Sequence, residues 1–147
     1  MKKCRCFENL DIKLHPNLAV IVGANGSGKT SIMEGAAIAV STIFVKMDGL
    51  YSRRIDKNQV RLKAFSVGST KDVQPQYPVT VQAEAMTKSG VKKWERSLNK
   101  LNGSTTIGNA KDMIDLGIQF QKHLREGDTK LILPVIAYYG TGRLWDY

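Results

Sequence analysis

The chain has 147 residues, 42% hydrophobic and 24% charged, which suits one globular domain with a real core. No apolar run approaches the ~18 residues of a membrane span, and Met1-Lys2-Lys3-Cys4-Arg5-Cys6 lacks the apolar centre of a signal peptide, so a membrane partner is not expected and a cytoplasmic location is. The net charge of +9 favours polyanionic partners such as nucleotides, nucleic acid or anionic surfaces.

In chain order, Cys4 and Cys6 are too close for an easy disulfide and offer half a zinc site, so they read as reduced thiols on a strand. Phe7 to Leu14 resembles a short strand, ended by the turn signal His15-Pro16-Asn17. Leu18-Ala19-Val20-Ile21-Val22 is an unbroken apolar run, the pattern of a strand buried on both faces in a parallel sheet. Gly23-Ala24-Asn25-Gly26-Ser27-Gly28-Lys29-Thr30 follows directly and reads G-x-x-x-x-G-K-T, a phosphate-binding P-loop. Its glycines permit φ > 0 and close backbone approach, its N–H groups form an anion nest, and the following helix adds free N–H groups and a positive dipole end. Lys29 is the candidate catalytic group, reaching the β- and γ-phosphates. The Thr30 hydroxyl is a candidate Mg²⁺ ligand, or a plain helix N-terminal Thr. Ile32, Ala36, Val40 and Phe44, with Met33, Ala37 and Ile43 beside them, predict the apolar face of that helix.

Lys46 to Lys63 is rich in cations, among them Arg53, Arg54, Lys57, Arg61 and Lys63. This is a solvated charged loop or a nucleic-acid contact. Val60 to Phe65 alternates as a strand with one wet face, and Gly68 to Pro78 reads as loop. Val79, Val81, Ala83 and Ala85 alternate with polar residues, Lys88-Ser89-Gly90 turns, and Val91 to Leu98 returns with Trp94 and Leu98 on one face: a β-hairpin. After a loop over Leu101 to Gly108, a helix is expected. Asn109 and Asp112 favour its start, Ile107, Ala110, Ile114, Gly117, Ile118 and Leu124 lie on one side, and Gly127 stands at its C′ position. Leu131 to Tyr139 reads as a second apolar strand with Pro134 at an edge, and Gly140-Thr141-Gly142-Arg143 as a turn. His15 and His123 lack metal-like partners and read as structural, and Tyr138 and Tyr139 as the end of a core strand.

A hydrolytic P-loop site also needs an acid at the end of an apolar strand. Glu84 follows an alternating strand, Asp128 precedes an apolar run, and Asp146 follows Arg143-Leu144-Trp145, so none fits. Asn99-Lys100-Leu101-Asn102 fails the guanine-reading motif at its last position. The chain carries a phosphate cradle without an evident complete catalytic set.

Arg5-Cys6-Phe7-Glu8-Asn9-Leu10, the stretch Leu14 to Thr30, and Ile136-Ala137-Tyr138-Tyr139-Gly140-Thr141-Gly142-Arg143-Leu144-Trp145 together resemble the N-terminal part of ATPases with ABC-type heads: the RecF, structural-maintenance-of-chromosomes and OLD-like group. The last segment resembles a narrower branch of bacterial AAA-type ATP-binding proteins, some of which serve in anti-phage defence. The resemblance implies ATP with Mg²⁺ as cofactors and nucleotide binding by Gly23, Ala24, Asn25, Gly26, Ser27, Gly28, Lys29, Thr30 and Ser31. It implies an Asn25 contact near the γ-phosphate, where a turn-forming Asn is the plain reading. It places Arg5 and Phe7 near the base or ribose, with Phe7 as plain core the alternative. It also implies that the chain is the first lobe alone. The second lobe would carry the signature motif, the Walker B acids and a switch histidine, and hydrolysis would need that lobe and an ATP-sandwiched homodimer.

The expected fold is α/β (α+β), a P-loop NTPase half-domain over 1–147 with a mixed sheet, the P-loop helix and an antiparallel hairpin. The leading function is Mg-ATP binding within an ABC-type ATPase acting on nucleic acid or in phage defence. The alternatives are a non-enzymatic basic nucleic-acid-binding module and a small P-loop kinase.

Overall fold

A computed structural model of the chain describes residues 1–140; the turn expected at Thr141 to Arg143 and the segment to Tyr147 lie outside the described residues. The hairpin is the scaffold. Strand β5 (Val79–Thr87) pairs with β6 (Gly90–Leu98) in antiparallel register from Val79 opposite Leu98 to Thr87 opposite Gly90. Gly90 closes the turn at φ +99, where a side chain would be strained. Alternation sorts the hairpin into two faces. Val79, Val81, Trp94, Arg96 and Leu98 are buried on the inner face. The outer face carries cross-strand polar pairs, Gln82 to Glu95 at 2.6 Å and Lys93 to Glu84 at 2.9 Å. The Glu95 carboxyl is held below the usual carboxylate range, first by the Gln82 amide, against a smaller opposing effect of burial.

Strand β1 (Lys2–Cys4) adds to β5 through Lys2 opposite Thr80 and pairs on its other side with β2 (Phe7–Asn9), giving a four-stranded antiparallel sheet in the order β2-β1-β5-β6. Helix α1 (Lys29–Val40) lies on the inner face and runs into a 3-10 turn over Ser41–Phe44. Trp94 fixes it: the indole Nε1–H donates to the Ala39 carbonyl at 2.9 Å, and the ring is buried with Ile38, Ala39 and Ile43. Helix α2 (Lys111–Arg125) packs across the 3-10 turn and β6 through Ala110, Met113, Ile114 and Gly117. Strands β3 (Arg61–Val67) and β4 (Thr70–Gln76) form a separate two-stranded ribbon, tied to the main sheet by a bridge between Cys4 and Val60.

The α+β class, the P-loop helix, the hairpin, the strand near residue 60 and the helix with Gly127 (φ +74) just past its C-cap match expectation. Several elements differ. Leu18 to Val22 pairs with no strand among the described residues, and Leu18, Val20 and Val22 are 73%, 74% and 87% exposed. Leu131 to Tyr139 likewise forms no strand, with Val135 97% and Tyr139 75% exposed, so Tyr139 finishes no core strand. Both runs have the composition of buried strands, and neither joins a sheet among the described residues. Gly68 to Pro78 contains β4, not only loop; Thr70–Gln76 shows no apolar alternation because the ribbon buries little on either face, leaving Leu62 and Val73 exposed too.

Helix α1 is turned from its expected face. Ser31, Gly35, Ile38 and Ala39 are buried, whereas Met33 and Val40 are exposed and Ile32 and Ala36 half-buried. A helix apolar nearly all round gives no direction to its periodicity. Asn109 does not cap α2; its Nδ2 donates to Glu95 Oε1 at 3.3 Å, and the cap residue Ala110 has no side-chain bond.

Gly117 is the tightest point of the α2 contact: a Cβ there would overlap the Ile43 carbonyl oxygen and approach Met47 Sδ at 3.1 Å. Gly117→Ala is expected to destabilise the fold by about 2–3 kcal/mol despite its gain in helix propensity. Urea denaturation checks this; an unchanged or raised midpoint would mean α2 does not pack there.

Candidate nucleotide-binding site

The loop between Val22 and α1 has the backbone its glycines suggest. Gly26 (φ +80) and Gly28 (φ +91) are both left-handed, and Gly28 is the N-cap of α1. Ser27 N–H donates to the Ala24 carbonyl at 3.2 Å, and Ile32 N–H makes the first helical bond to Gly28 at 3.0 Å. The N–H groups of Lys29, Thr30 and Ser31 therefore begin the helix without intrahelical acceptors, the arrangement that receives an anion. Lys29 arches back over the loop, its Nζ donating to the Gly23 and Ala24 carbonyls, both at 2.7 Å.

Asn25, Gly26, Gly28, Lys29, Thr30 and Ser31 line one cleft of about 400 Å³ together with Arg5 and Cys6. Gly23, Ala24 and Ser27 are not among its lining residues; they close the loop behind it. Thr30 is exposed and Ser31 buried. A Cβ on Gly28 would overlap the Phe7 ring and come 2.6 Å from Cys6 Sγ, so Phe7 backs the loop.

Arg5 shares the cleft, held by a network the sequence does not announce. It sits at φ +47, unusual for a non-glycine residue, with its N–H on the Gln59 carbonyl at 2.9 Å. Its guanidinium pairs with Glu34 of α1 at 2.8 Å, and Gln59 Nε2 donates to the same carboxylate at 3.3 Å. Arg61 Nη1 donates to the Cys6 carbonyl at 2.6 Å. Arg5 Nε is buried without a hydrogen-bond partner among the described residues, an unspent donor beside the loop. Only Glu34 had a readable signal, an acid one turn into the P-loop helix; Gln59 and Arg61 reach the site through tertiary pairing.

The other singled-out residues lie elsewhere. Arg53, Arg54 and Lys57 line a different cleft. His15 Nδ1 accepts from the Asn17 and Leu18 N–H groups at 3.3 and 3.4 Å, and His123 lies 3.5 Å from Asp128. No group of three metal-ligating side chains occurs among the described residues, and none of their helices is long and apolar enough to cross a membrane.

A glycine-rich loop at a helix N-terminus, crossed by a lysine, is the backbone form of a P-loop. The chain belongs to the AAA domain family, whose model (AAA_23) matches residues 1–147, and an ATP-binding, ATPase-type domain follows from that membership. No curated protein matches the chain.

The two thiols differ in setting. Burial pushes the Cys4 thiol up from its ordinary value, against a lowering by Arg5, while Cys6 is exposed in the cleft. The neutral Cys4 thiol favours the fold below the ordinary thiol range, and that contribution is lost as pH rises through its folded value. A thiol-reactive dye is expected to label Cys6 at once in native protein and Cys4 only on unfolding. Two equally fast thiols would place Cys4 at the surface.

Proposed function

We propose that the chain binds Mg-ATP through Gly23 to Ser31, as the first lobe of an ABC-type ATPase head acting on nucleic acid or in phage defence. The observation that carries the nucleotide reading is the convergence in one cleft of two left-handed glycines, the open first turn of α1, Lys29 and the Arg5 guanidinium with its unpartnered Nε. On this reading the backbone N–H groups from Gly26 to Ser31 and Lys29 hold the β- and γ-phosphates, and the Thr30 hydroxyl holds Mg²⁺. Arg5 meets the ribose side, kept in place by Glu34. Bound ATP supplies the phosphoanhydride whose cleavage drives such machines; this chain's part is to bind and orient it.

The lobe reading is supported by the apolar runs. Leu18 to Val22 and Leu131 to Tyr139 leave a large apolar surface exposed, more than a self-sufficient domain tolerates. A second lobe that adds strands beside them would cover it and would supply the missing acid. Two such heads joined through ATP make the homodimer implied by the resemblance.

Melting with and without Mg-ATP tests the nucleotide site. At a hundred times its Kd, a ligand confined to the native state stabilises by about 2.7 kcal/mol. A shift is expected for the wild type, with loss of the shift in Lys29→Ala and loss of its Mg²⁺ dependence in Thr30→Ala. No shift in a cooperatively melting wild type would overturn the site.

A further inference from the structure

A second cleft, of about 620 Å³, lies away from the P-loop; Tyr51, Arg53, Arg54, Lys57 and Tyr77 are among the residues that line it. Its size is that of a small-molecule site. Its rim is fixed by main-chain bonds. Arg53 N–H donates to Ser41 Oγ at 3.0 Å and Ile55 N–H to Thr105 Oγ1 at 2.9 Å. Asp56 and Gln59 form a capping box around residues 56–59. That box occupies Asp56, the one carboxylate in the lining, whose Oδ1 accepts from Asn58 N–H at 3.0 Å.

The charge in this region is unbalanced. Arg54 and Lys57 have no ion pair among the described residues, and the Arg53 guanidinium stands 4.6 Å over the Tyr138 ring. Behind them Arg96 is 3% exposed and bonded only to neutral acceptors: the Thr106 carbonyl at 2.8 Å, and Thr42 Oγ1 and Ser52 Oγ at 3.3 Å each. Burial, and then the nearby Arg54, lower the Arg96 pKa from its ordinary value. Cations gathered this way repel one another until an anion arrives, so the cleft is set for phosphate. Tyr51 stands at its mouth 79% exposed, a flat face free to stack.

We propose that this cleft is a second nucleotide-unit site, separate from the P-loop, which takes a phosphate on Arg54 and Lys57 and a base on Tyr51. Phosphate beside an aromatic base is the chemistry of one unit of a single strand and equally of a free nucleotide. The site does not rest on the P-loop reading, and its test removes that loop from play.

The test uses Lys29→Ala protein without Mg²⁺ and a fluorescent oligothymidylate of about 15 nucleotides, with anisotropy read across a salt series. Salt-dependent binding is expected. Arg54→Gln with Lys57→Gln should flatten the log–log salt slope by about 0.7, since the two cations share one phosphate and each single-strand phosphate contact contributes about 0.7. Tyr51→Ala should weaken binding about tenfold and leave the slope alone. Tyr51 supports no core, so this variant keeps the site testable if the double variant folds poorly. Thymidine monophosphate added as competitor separates the two sources: displacement at matched nucleotide concentration identifies a free nucleotide, and resistance identifies a strand. Either outcome supports the site. Failure of both ligands to bind, or binding indifferent to the paired cation changes, would overturn it; a response to the cations without one to Tyr51 would overturn the base contact and the nucleotide assignment with it.

Discussion

The seating of α1 on the β5–β6 hairpin is the constraint on which the rest of the structure depends. One helix serves two ends. Its C-terminal half, Ile38 and Ala39, continues into Thr42 and Ile43 and forms the core with Trp94, Val79 and Val81. Its N-terminal turn offers the N–H groups of the phosphate loop. Trp94 anchors the first end by packing and by its bond to the Ala39 carbonyl. The second end is held by β1 and β2, which bring Arg5, Cys6 and Phe7 against Gly28 and Glu34. Since β1 is hydrogen-bonded to β5, the same sheet sets both ends of the helix. The cradle is therefore rigid where it joins the core and depends on long-range pairing, not on the loop sequence alone.

Electrostatics divides the molecule differently. Around the phosphate loop, Glu34 partly compensates Arg5, so the site combines a cation with a matched acid and one donor to spare. Around Arg96 no acid balances the charge among the described residues. A buried guanidinium without a carboxylate is costly unless its donors are satisfied. Here the backbone of Thr106 and the hydroxyls of Thr42 and Ser52 do so, and in doing so tie the loop at 103–107, the end of α1 and the loop at 49–56 to β6. The net charge of +9 is thus not a diffuse surface property. Part of it is concentrated beside a defined cleft.

How far the sequence disclosed this structure follows from the range of the forces involved. The P-loop, the hairpin with its Gly90 turn and the Gly127 end of α2 were legible because each is decided within a few residues by φ preferences and alternation. The buried face of α1 was not, because nearly every side of that helix is apolar and only the position of Trp94 selects one. Strand β4 was hidden because Thr70–Gln76 buries almost nothing and pairs through its backbone, with Pro75 at a ribbon edge. At the site, the loop could be read but its setting could not. Gln59 reaches Glu34 across 25 residues and Arg61 reaches Cys6 across 55, separations no local pattern encodes.

The two apolar runs are a different kind of discrepancy. Leu18 to Val22 and Leu131 to Tyr139 have the composition of doubly buried strands, yet they lie open. Local sequence describes the environment such segments require, and that environment needs neighbours on both faces and both edges. The first run leads straight into Gly23, so whatever pairs with it also sets the entry to the phosphate loop. On the proposed reading this makes nucleotide binding and sheet completion two ligand-like events on one element. A partner that pairs with Leu18 to Val22 also fixes the segment from which Gly23 departs, so the two events act on neighbouring residues. If that pairing tightens the loop, linkage requires that nucleotide in the loop strengthens the partner's grip by the same factor.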